Sequence, residues 1–313
     1  MTRKARRGAK QRECARGRRH VLSALLIAFV LIGGFFGWMA LSASIVRVCP
    51  AEVYLPDLPT QFDSTTILYI SDVNIRSAAD AAACKRLMSK LEALHPDMLF
   101  LGGDYSAGTV LDALNATEDA GDLAHAREFL QSLASFPAPL GKFAVAGEAE
   151  RGGDSVMGAF AAAGIGFLQD DCATIERDGA RLIVAGLRDV SEDRTPYGEI
   201  GKTFQSDDCV IALAHNPRSY TRIRMSEAQN GGAWADLVLS GHTLGGQIKL
   251  FGRTLRQFSE EEARRIGGWY YGDDLPLLVS QGLGCRGAKL RLGTRSEVWM
   301  ITLRRPSWQA AEN

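Results

Sequence analysis

Short apolar runs alternate with amphipathic segments from residue 66 onward. Continuous apolar stretches bounded by polar or glycine residues predict buried strands at 66–71, 98–103 and 142–146. Apolar positions at helical spacing predict intervening helices at 78–94, 122–135 and 155–163. Because strands and helices alternate, we expect a mostly parallel sheet with right-handed crossovers.

The pattern changes in the second half of the chain, where strands follow one another with few helices between them. Two strands flank the turn Arg177-Asp178-Gly179-Ala180, which is a hairpin signal. Further strands are predicted at 209–214, 236–240, 247–251, 276–281 and 298–303. These segments indicate a second, more antiparallel sheet, so the fold class is α/β with two sheets.

Residues 21–46 form a run of 26 residues without a charged side chain. As a helix this run would be about 39 Å long, which exceeds the roughly 30 Å core of a bilayer. A cleaved signal peptide is the alternative, but its apolar region usually has only about 7–15 residues. The run therefore favours one uncleaved transmembrane helix.

Charge is distributed unevenly along the chain. The formal net charge is zero, yet nine of the 36 Lys and Arg residues lie within residues 1–20, beside a single acid, Glu13. Such a basic cluster stays cytoplasmic, which places the C-terminal domain on the other side of the membrane. The rest of the chain is acidic and has no basic stripe, so nucleic acid is not an expected partner.

These features divide the chain into five parts. We expect a basic cytoplasmic tail (1–20), a transmembrane helix (21–46), a linker rich in proline (47–63), one folded domain (64–306) and a short tail (307–313). Six cysteines are widely spaced without a Cys-x-x-Cys pair, which argues against a zinc ribbon and favours isolated thiols. The oligomeric state stays open.

Polar side chains follow the ends of five predicted strands. The segments are Asp72-Val73-Asn74, Gly103-Asp104, Gly147-Glu148-Ala149-Glu150, His215-Asn216 and Gly241-His242-Thr243-Leu244. Taken singly, each is ordinary turn chemistry. Together they place carboxylates and imidazoles at the edge where α/β sheets bind ligands, and these groups suit Zn, Mn or Fe.

The order of these segments resembles that of the calcineurin-like metallophosphoesterases. The stretch Gly241-His242-Thr243-Leu244-Gly245-Gly246-Gln247 resembles the family signature Gly-His-Thr-His-Gly-Gly-Gln. The C-terminal stretches 278–284 and 290–298 resemble those of its membrane-anchored bacterial branch. The resemblance covers about residues 65–305 and implies a two-sheet αββα sandwich. It also implies two metals between the sheets, which activate a water that attacks a phosphoester.

Several family positions are substituted in this chain. Asp72 matches the first aspartate of the family, but Asn74 stands where its partner histidine would be, and Asp104 matches the aspartate that bridges both metals. Glu148 replaces a ligand asparagine. Ala149 replaces the histidine that would protonate the leaving group, which leaves Glu150 as a possible proton source.

The histidine ligands are also incomplete. His215 and His242 match single-histidine ligands, whereas Leu244 replaces the last ligand histidine. The resemblance therefore implies that the first metal site is reduced to remnants, Asp72 and Asn74. The second keeps a full set of ligands, which is Asp104, Glu148, His215 and His242. We expect one divalent ion at most.

Three functions remain open at this point. The chain is predicted to be a membrane-anchored member of the family, in a bacterial cell membrane with its domain extracytoplasmic, whose phosphoester hydrolysis is weak or absent. Alternatively, it is an active phosphoesterase with a single metal that acts on a lipid or cell-envelope phosphoester. A third possibility is a non-catalytic module that binds a ligand or partner through the cleft in which the family holds its metals.

Overall fold

In a computed structural model of the protein, the backbone is described for residues 3–107, 123–150, 154–190, 197–272 and 275–306. Side chains are described for the same residues except 3–17, 154–155 and 197–198. The tail predicted at 307–313, and the side chains of most of the basic tail, lie outside the described residues. The five cysteines described are free thiols.

The elements largely follow the predicted alternation. The helices are α1 (Arg3–Ser44), α2 (Ala78–Leu91), α3 (Leu123–Ser132), α4 (Asp154–Ala162), α5 (Tyr197–Gly201), α6 (Ser219–Met225) and α7 (Glu260–Ala263). The strands are β1 (Val46–Tyr54), β2 (Thr66–Ile70), β3 (Met98–Leu101), β4 (Lys142–Ala144), β5 (Gly166–Phe167), β6 (Asp171–Arg177), β7 (Ala180–Leu187), β8 (Val210–Ala214), β9 (Leu237–Ser240), β10 (Lys249–Leu250), β11 (Arg253–Thr254), β12 (Gly268–Tyr270), β13 (Leu277–Val279) and β14 (Ser296–Arg304).

Two six-stranded sheets form the centre of the domain. The first has the order β1-β14-β2-β3-β4-β5, and only its β14–β2 pairing is antiparallel. The second has the order β12-β13-β9-β8-β7-β6, with antiparallel pairings at both edges and parallel pairings between. Strands β10 and β11 form a separate hairpin, so the predicted strand at 247–251 does not join a main sheet.

Three apolar clusters show how the sheets and helices are layered. Along β2, Ile67 and Tyr69 enter a cluster shared with the second sheet, whereas Leu68 and Ile70 enter a cluster shared with α2, α3 and α4. This division follows from the alternation of side chains along a strand. A third cluster covers the outer face of the second sheet and includes Tyr220 of α6. The predicted αββα sandwich is therefore confirmed.

The predicted linker at 47–63 is wrong over its first half, because this segment contains β1. Val46–Tyr54 pairs in parallel with Ser296–Arg304 over nine residues. Pro50 favoured a linker over a strand, because proline has no backbone N–H to donate within a sheet. However, β1 lies at the edge of its sheet, where a missing donor is tolerated.

Helix α1 is long and apolar enough to cross a membrane over Arg18–Ser44. Its large apolar side chains between Val21 and Leu41 are exposed, whereas Met39 and Ala43 near its end are buried against the domain. The backbone N–H of Arg291 donates to the Met39 carbonyl at 3.1 Å, and Ser296 Oγ donates to the Ala43 carbonyl at 3.0 Å. The end of the helix is thus attached directly to the sheet.

Arg291 connects this attachment to the loops of the second sheet. Its side chain is fully buried, and its guanidinium donates to five backbone carbonyls, those of Leu244, Gln281, Gly282, Gly284 and Arg295. Burying a charged group is costly unless it is hydrogen-bonded, and the bonds to these five carbonyls offset that cost. Arg291 therefore holds together the loops that follow β9 and β13.

We predict that Arg291→Met lowers the free energy of unfolding by about 3 kcal/mol or more, because several buried carbonyls lose their donor. Urea unfolding of the full chain in detergent measures the change. Arg295→Met, at an exposed neighbouring position, is the matched control and should alter stability by less than about 0.5 kcal/mol. Equal stability of the two variants would contradict the role of Arg291.

Candidate metal centre

The candidate residues converge at one edge of the two sheets. Asp72 follows β2, Asp104 follows β3, His215 follows β8 and His242 follows β9, and Glu148 lies in a 3₁₀ turn after β4. The carboxyl ends of neighbouring parallel strands meet at the same edge of a sheet. Stacking the two sheets then brings their edges face to face, which explains why residues distant in sequence meet.

Glu148, His215 and His242 offer ligand atoms that lie within 4.8 Å of one another. Glu148 Oε2 is 2.5 Å from His242 Nδ1 and 3.4 Å from His215 Nε2. Asp104 Oδ1 joins them, at 3.5 Å from His215 Nε2. Three of the four residues predicted for the second metal thus form one group of ligand atoms, and Asp104 contacts that group at His215.

A hydrogen bond to the backbone orients His215. Its Nδ1 lies 2.6 Å from the Gly102 carbonyl, so that nitrogen carries the proton and donates it. Its Nε2 is fully buried and has no hydrogen-bond partner among the described residues. An imidazole held in this way presents a lone pair toward Asp104 and Glu148, which is the arrangement of a metal-ligating histidine.

A second group, Asp72, Asp104 and His215, also places its ligand atoms within 4.8 Å of one another. Asp72 Oδ2 accepts hydrogen bonds from Ser71 Oγ at 2.6 Å and from the His242 backbone N–H at 3.0 Å. Asp72 Oδ1 is buried without a partner among the described residues. Like His215 Nε2, this oxygen is a buried potential ligand atom without a hydrogen-bond partner among the described residues.

The other two residues of the first site do not provide good ligands. Asn74 directs its side-chain nitrogen to the Asp72 carbonyl at 3.0 Å. Leu244 is almost fully buried, and an added Cβ at Gly282 would lie 2.9 Å from Leu244 Cδ2 and 2.7 Å from Asp72 Cβ. An apolar side chain therefore borders Asp72 at the position where the family has its last ligand histidine.

Backbone strain is concentrated in this centre. Asp72, Asn74, Asp104, His242 and Leu244 all have positive φ, between 53° and 67°. This region is unfavourable for residues other than glycine, least so for Asn and Asp. Strain of this kind clusters at functional sites, where the turns after strands aim side chains at a common point.

Charge within the centre is balanced between buried carboxylates and imidazoles. Burial opposes ionisation of Glu148, but the neighbouring imidazoles of His215 and His242 hold its pKa well below the usual value. Burial lowers the pKa of His215, but the carboxylates of Asp104, Glu148 and Asp72 together outweigh this effect and raise it well above the usual value. The carboxylates therefore require positive charge nearby, which protons on the imidazoles or a cation can supply.

Three residues that were not predicted as site residues surround His242 and Glu148. Glu262 Oε1 lies 3.2 Å from His242 Nε2, and Arg256 donates to the His242 carbonyl at 3.0 Å. Arg286 Nη2 is 2.5 Å from Glu148 Oε1. The sequence feature that could have pointed to Glu262 is its capping box with Ser259, which fixes the Glu262 carboxylate at the start of α7.

Glu150 is placed differently from the possible proton source that we predicted. Its carboxylate is buried and accepts the backbone N–H groups of Asp104, Tyr105, Ser106 and Gly147 at 2.8–3.4 Å. Burial, followed by the Asp104 charge, raises its pKa to about 8. Both carboxylate oxygens accept hydrogen bonds from loop backbone, so Glu150 connects the Asp104 loop with the Gly147 loop.

We predict that Glu150→Gln lowers the free energy of unfolding by about 2 kcal/mol, because an amide nitrogen would face backbone donors. Metal affinity should fall in parallel, since the Asp104 and Glu148 loops lose their connection. Thermal unfolding and metal titration of the full chain measure both effects. Glu176→Gln, on an exposed strand position, is the control. An unchanged metal affinity in Glu150→Gln would contradict the tie between the loops.

Comparison with known proteins identifies the family. An uncharacterized metallophosphoesterase of Aquifex aeolicus is 31% identical over 203 residues, which cover 62% of this chain and 73% of that protein. The chain belongs to the metallophosphoesterase family. The resemblance predicted from the sequence is thereby confirmed, although no family model matches the chain.

Other relatives match more of this metallophosphoesterase chain. The uncharacterized metallophosphoesterase YkuE of Bacillus subtilis is 22% identical and covers 91% of the chain and 95% of its own length. A zebrafish (Danio rerio) transmembrane protein with a metallophosphoesterase domain is 23% identical and covers 92% of the chain and 63% of its own length. Among solved structures, a phosphopantetheinyl hydrolase of Mycobacterium tuberculosis aligns with 72% of the chain and 91% of its own, at 10% identity and a TM-score of 0.41.

Family membership implies the use of divalent metal. The residues of this centre fit such an ion by their own chemistry, because carboxylate oxygens and imidazole nitrogens converge. Two buried potential ligand atoms, Asp72 Oδ1 and His215 Nε2, have no hydrogen-bond partner among the described residues.

Proposed function

We propose that this metallophosphoesterase holds a single divalent ion on Asp104, Glu148, His215 and His242, and that it hydrolyses phosphoesters weakly or not at all. The observation that carries the proposal is the dependence of both ligand groups on His215. A neutral imidazole nitrogen has one lone pair and binds one ion. The two groups therefore cannot both be occupied. We assign the ion to Glu148, His215 and His242, with Asp104 as a fourth ligand from its place beside His215.

The remnants of the first site support the same conclusion. Without His215, that group keeps only the carboxylates of Asp72 and Asp104, beside a buried leucine. Zinc-like ions usually take three or four protein ligands. The second metal site keeps four candidate ligands, and Glu148 adds a charge that the asparagine of the family would not carry.

Each protein residue would have a distinct part in phosphoester binding. When bound, the ion would polarise a phosphoryl oxygen as a Lewis acid. Gly102 and Glu262 orient the two imidazoles, and Arg286 places a cation at the rim beside Glu148. A guanidinium in this position binds phosphate through two N–H groups.

The site lacks the residue that protonates the leaving group in the family. Ala149 stands where the family has its proton-donating histidine, and its backbone N–H donates to Asp104 Oδ1 at 3.0 Å. A missing general acid costs about 10²–10⁴-fold in rate. Among the described residues, the nearby Glu150 and Tyr105 are occupied by backbone hydrogen bonds. Binding of a phosphoester is therefore better supported than its rapid turnover.

The same proposal includes the placement of the domain. The basic residues of 1–20 would keep the N-terminus cytoplasmic, and α1 would hold the domain, beginning near residue 46, at the opposite membrane surface. Its substrate or ligand is then a phosphoester that is reachable from that surface.

We predict at most one tightly held divalent ion per chain. The full chain, purified in detergent and loaded with Zn²⁺ or Mn²⁺, should retain about one equivalent by elemental analysis. His215→Ala and His242→Ala should each weaken binding at least tenfold, since each removes one of four ligands. His125→Ala, which changes a histidine on α3 outside the centre, is the control. Two stoichiometric ions in the unaltered chain would refute the proposal.

We also predict that activity can be restored by rebuilding the first site. Asn74→His with Leu244→His should raise the ion count toward two and increase hydrolysis of aryl phosphodiesters or phosphomonoesters at least tenfold, because a second Lewis acid is added. Leu244→Met keeps the packing without adding a ligand and should leave the rate low. Adding Asp104→Asn should abolish any gain. Rapid turnover by the unaltered chain, lost in Asp104→Asn, would instead establish the active single-metal enzyme.

A further inference from the structure

A cleft of about 540 Å³ lies where α1 meets the domain. One wall is the end of the membrane helix, with Ala43 and Ser44, and the opposite wall is α2. It contains none of the four residues proposed to hold the ion, and only Asn74 is shared with the metal centre. The cleft is thus a separate feature, situated at the level where α1 would leave a bilayer.

The chemistry of the cleft is divided between its floor and its rim. Apolar side chains line the floor, which comprises Val46, Val73, Ala83, Cys84, Leu87 and Leu283. Four cationic side chains, Arg76, Arg86, Lys90 and Lys289, stand around it with one acid, Asp80. An apolar floor with a cationic rim is complementary to a molecule that has both an acyl part and a phosphate.

The single acid does not neutralise this rim. Asp80 is shared by Arg76, at 3.7 Å, and Lys289, at 3.3 Å. Arg86 and Lys90 are exposed and have no ion-pair partner among the described residues. By contrast Lys85, on the same helix, points away from the cleft and pairs with Glu128 of α3 at 2.6 Å. The unpaired cations of α2 are therefore those that face the cleft.

An apolar hairpin beside the same end of α1 indicates where the bilayer surface lies. In the β10–β11 hairpin Phe251 is 97% exposed, and Leu250 and Leu255 are also exposed. The backbone N–H of Lys249 donates to the Leu292 carbonyl at 2.7 Å, one residue from the Arg291 N–H that binds the Met39 carbonyl. Exposed aromatic and aliphatic side chains with basic neighbours are typical of segments that enter the membrane interface.

We propose that the cleft between α1 and α2 binds an anionic phospholipid of the surrounding bilayer. The phosphate lies against Arg86 and Lys90, with Arg76 and Lys289 at the inner end, and the glycerol and upper acyl carbons cover the apolar floor. Clustered Lys and Arg side chains beside a membrane surface attract anionic lipid head groups. This inference rests on the cleft, on α1 and on the hairpin beside it, and not on the metal centre.

The test uses the full chain in neutral detergent, with binding followed by native mass spectrometry and by thermal unfolding. Phosphatidylglycerol should bind at one molecule per chain and raise the unfolding midpoint, and phosphatidylcholine should bind at least tenfold more weakly. Arg86→Ala with Lys90→Ala should weaken phosphatidylglycerol binding tenfold or more. Lys85→Ala is the matched control on α2 and should bind normally.

A second variant removes the space and leaves the charge unchanged. Ala83→Phe would fill the apolar floor and should abolish retention of phosphatidylglycerol. Glycerol 3-phosphate, added alone, separates a soluble phosphate from a lipid. If it binds as tightly as phosphatidylglycerol, the lipid assignment is wrong. Equal binding of the two lipids, or normal binding by the Arg86/Lys90 double variant, would overturn the proposal. A metal count measured in parallel reports on the metal centre independently.

Discussion

Three buried carboxylates at one sheet edge impose the central constraint on this protein. Asp72, Asp104 and Glu148 come from three separate strand ends, and each is largely withdrawn from water. Unpaired buried charges are costly, so this concentration of negative charge requires positive charge in contact with it. The imidazoles of His215 and His242 and the guanidinium of Arg286 meet that need in part. A divalent ion would meet it more completely, because it can contact several of these oxygens at once.

Much of this arrangement could be predicted from the sequence because it follows from local rules. Apolar runs located the strands, and the residues that directly follow them identified Asp72, Asp104, His215 and His242 as members of one edge. Nothing local could show that Glu262 reaches His242 or that Arg256 binds its carbonyl, since these contacts join a short helix and a loop to a distant strand end. The positive φ of Leu244 could not be predicted from the sequence either, because leucine does not favour that backbone conformation.

The prediction of a linker after the membrane helix failed for an instructive reason. Prolines and a break in apolar pattern are typical of linkers, and Pro50 and Pro56 lie in that segment. Strand β1 nevertheless forms because β14 offers it an unpaired edge over nine residues. That partner lies some 250 residues away, so its availability depends on the completed fold and not on the segment itself.

The strand after the helix changes what membrane attachment means for the site. A flexible linker would let the domain turn freely above the bilayer, whereas β1 begins two residues after α1 ends and is fixed in the first sheet. The orientation of the domain then follows from that of the helix, since Met39 and Ala43 are hydrogen-bonded to the same sheet region. Arg291 extends this coupling to the Leu244 carbonyl, in the loop that carries His242. The candidate metal centre is thus coupled through these contacts to the end of α1, so the orientation of that helix sets the direction in which the centre faces.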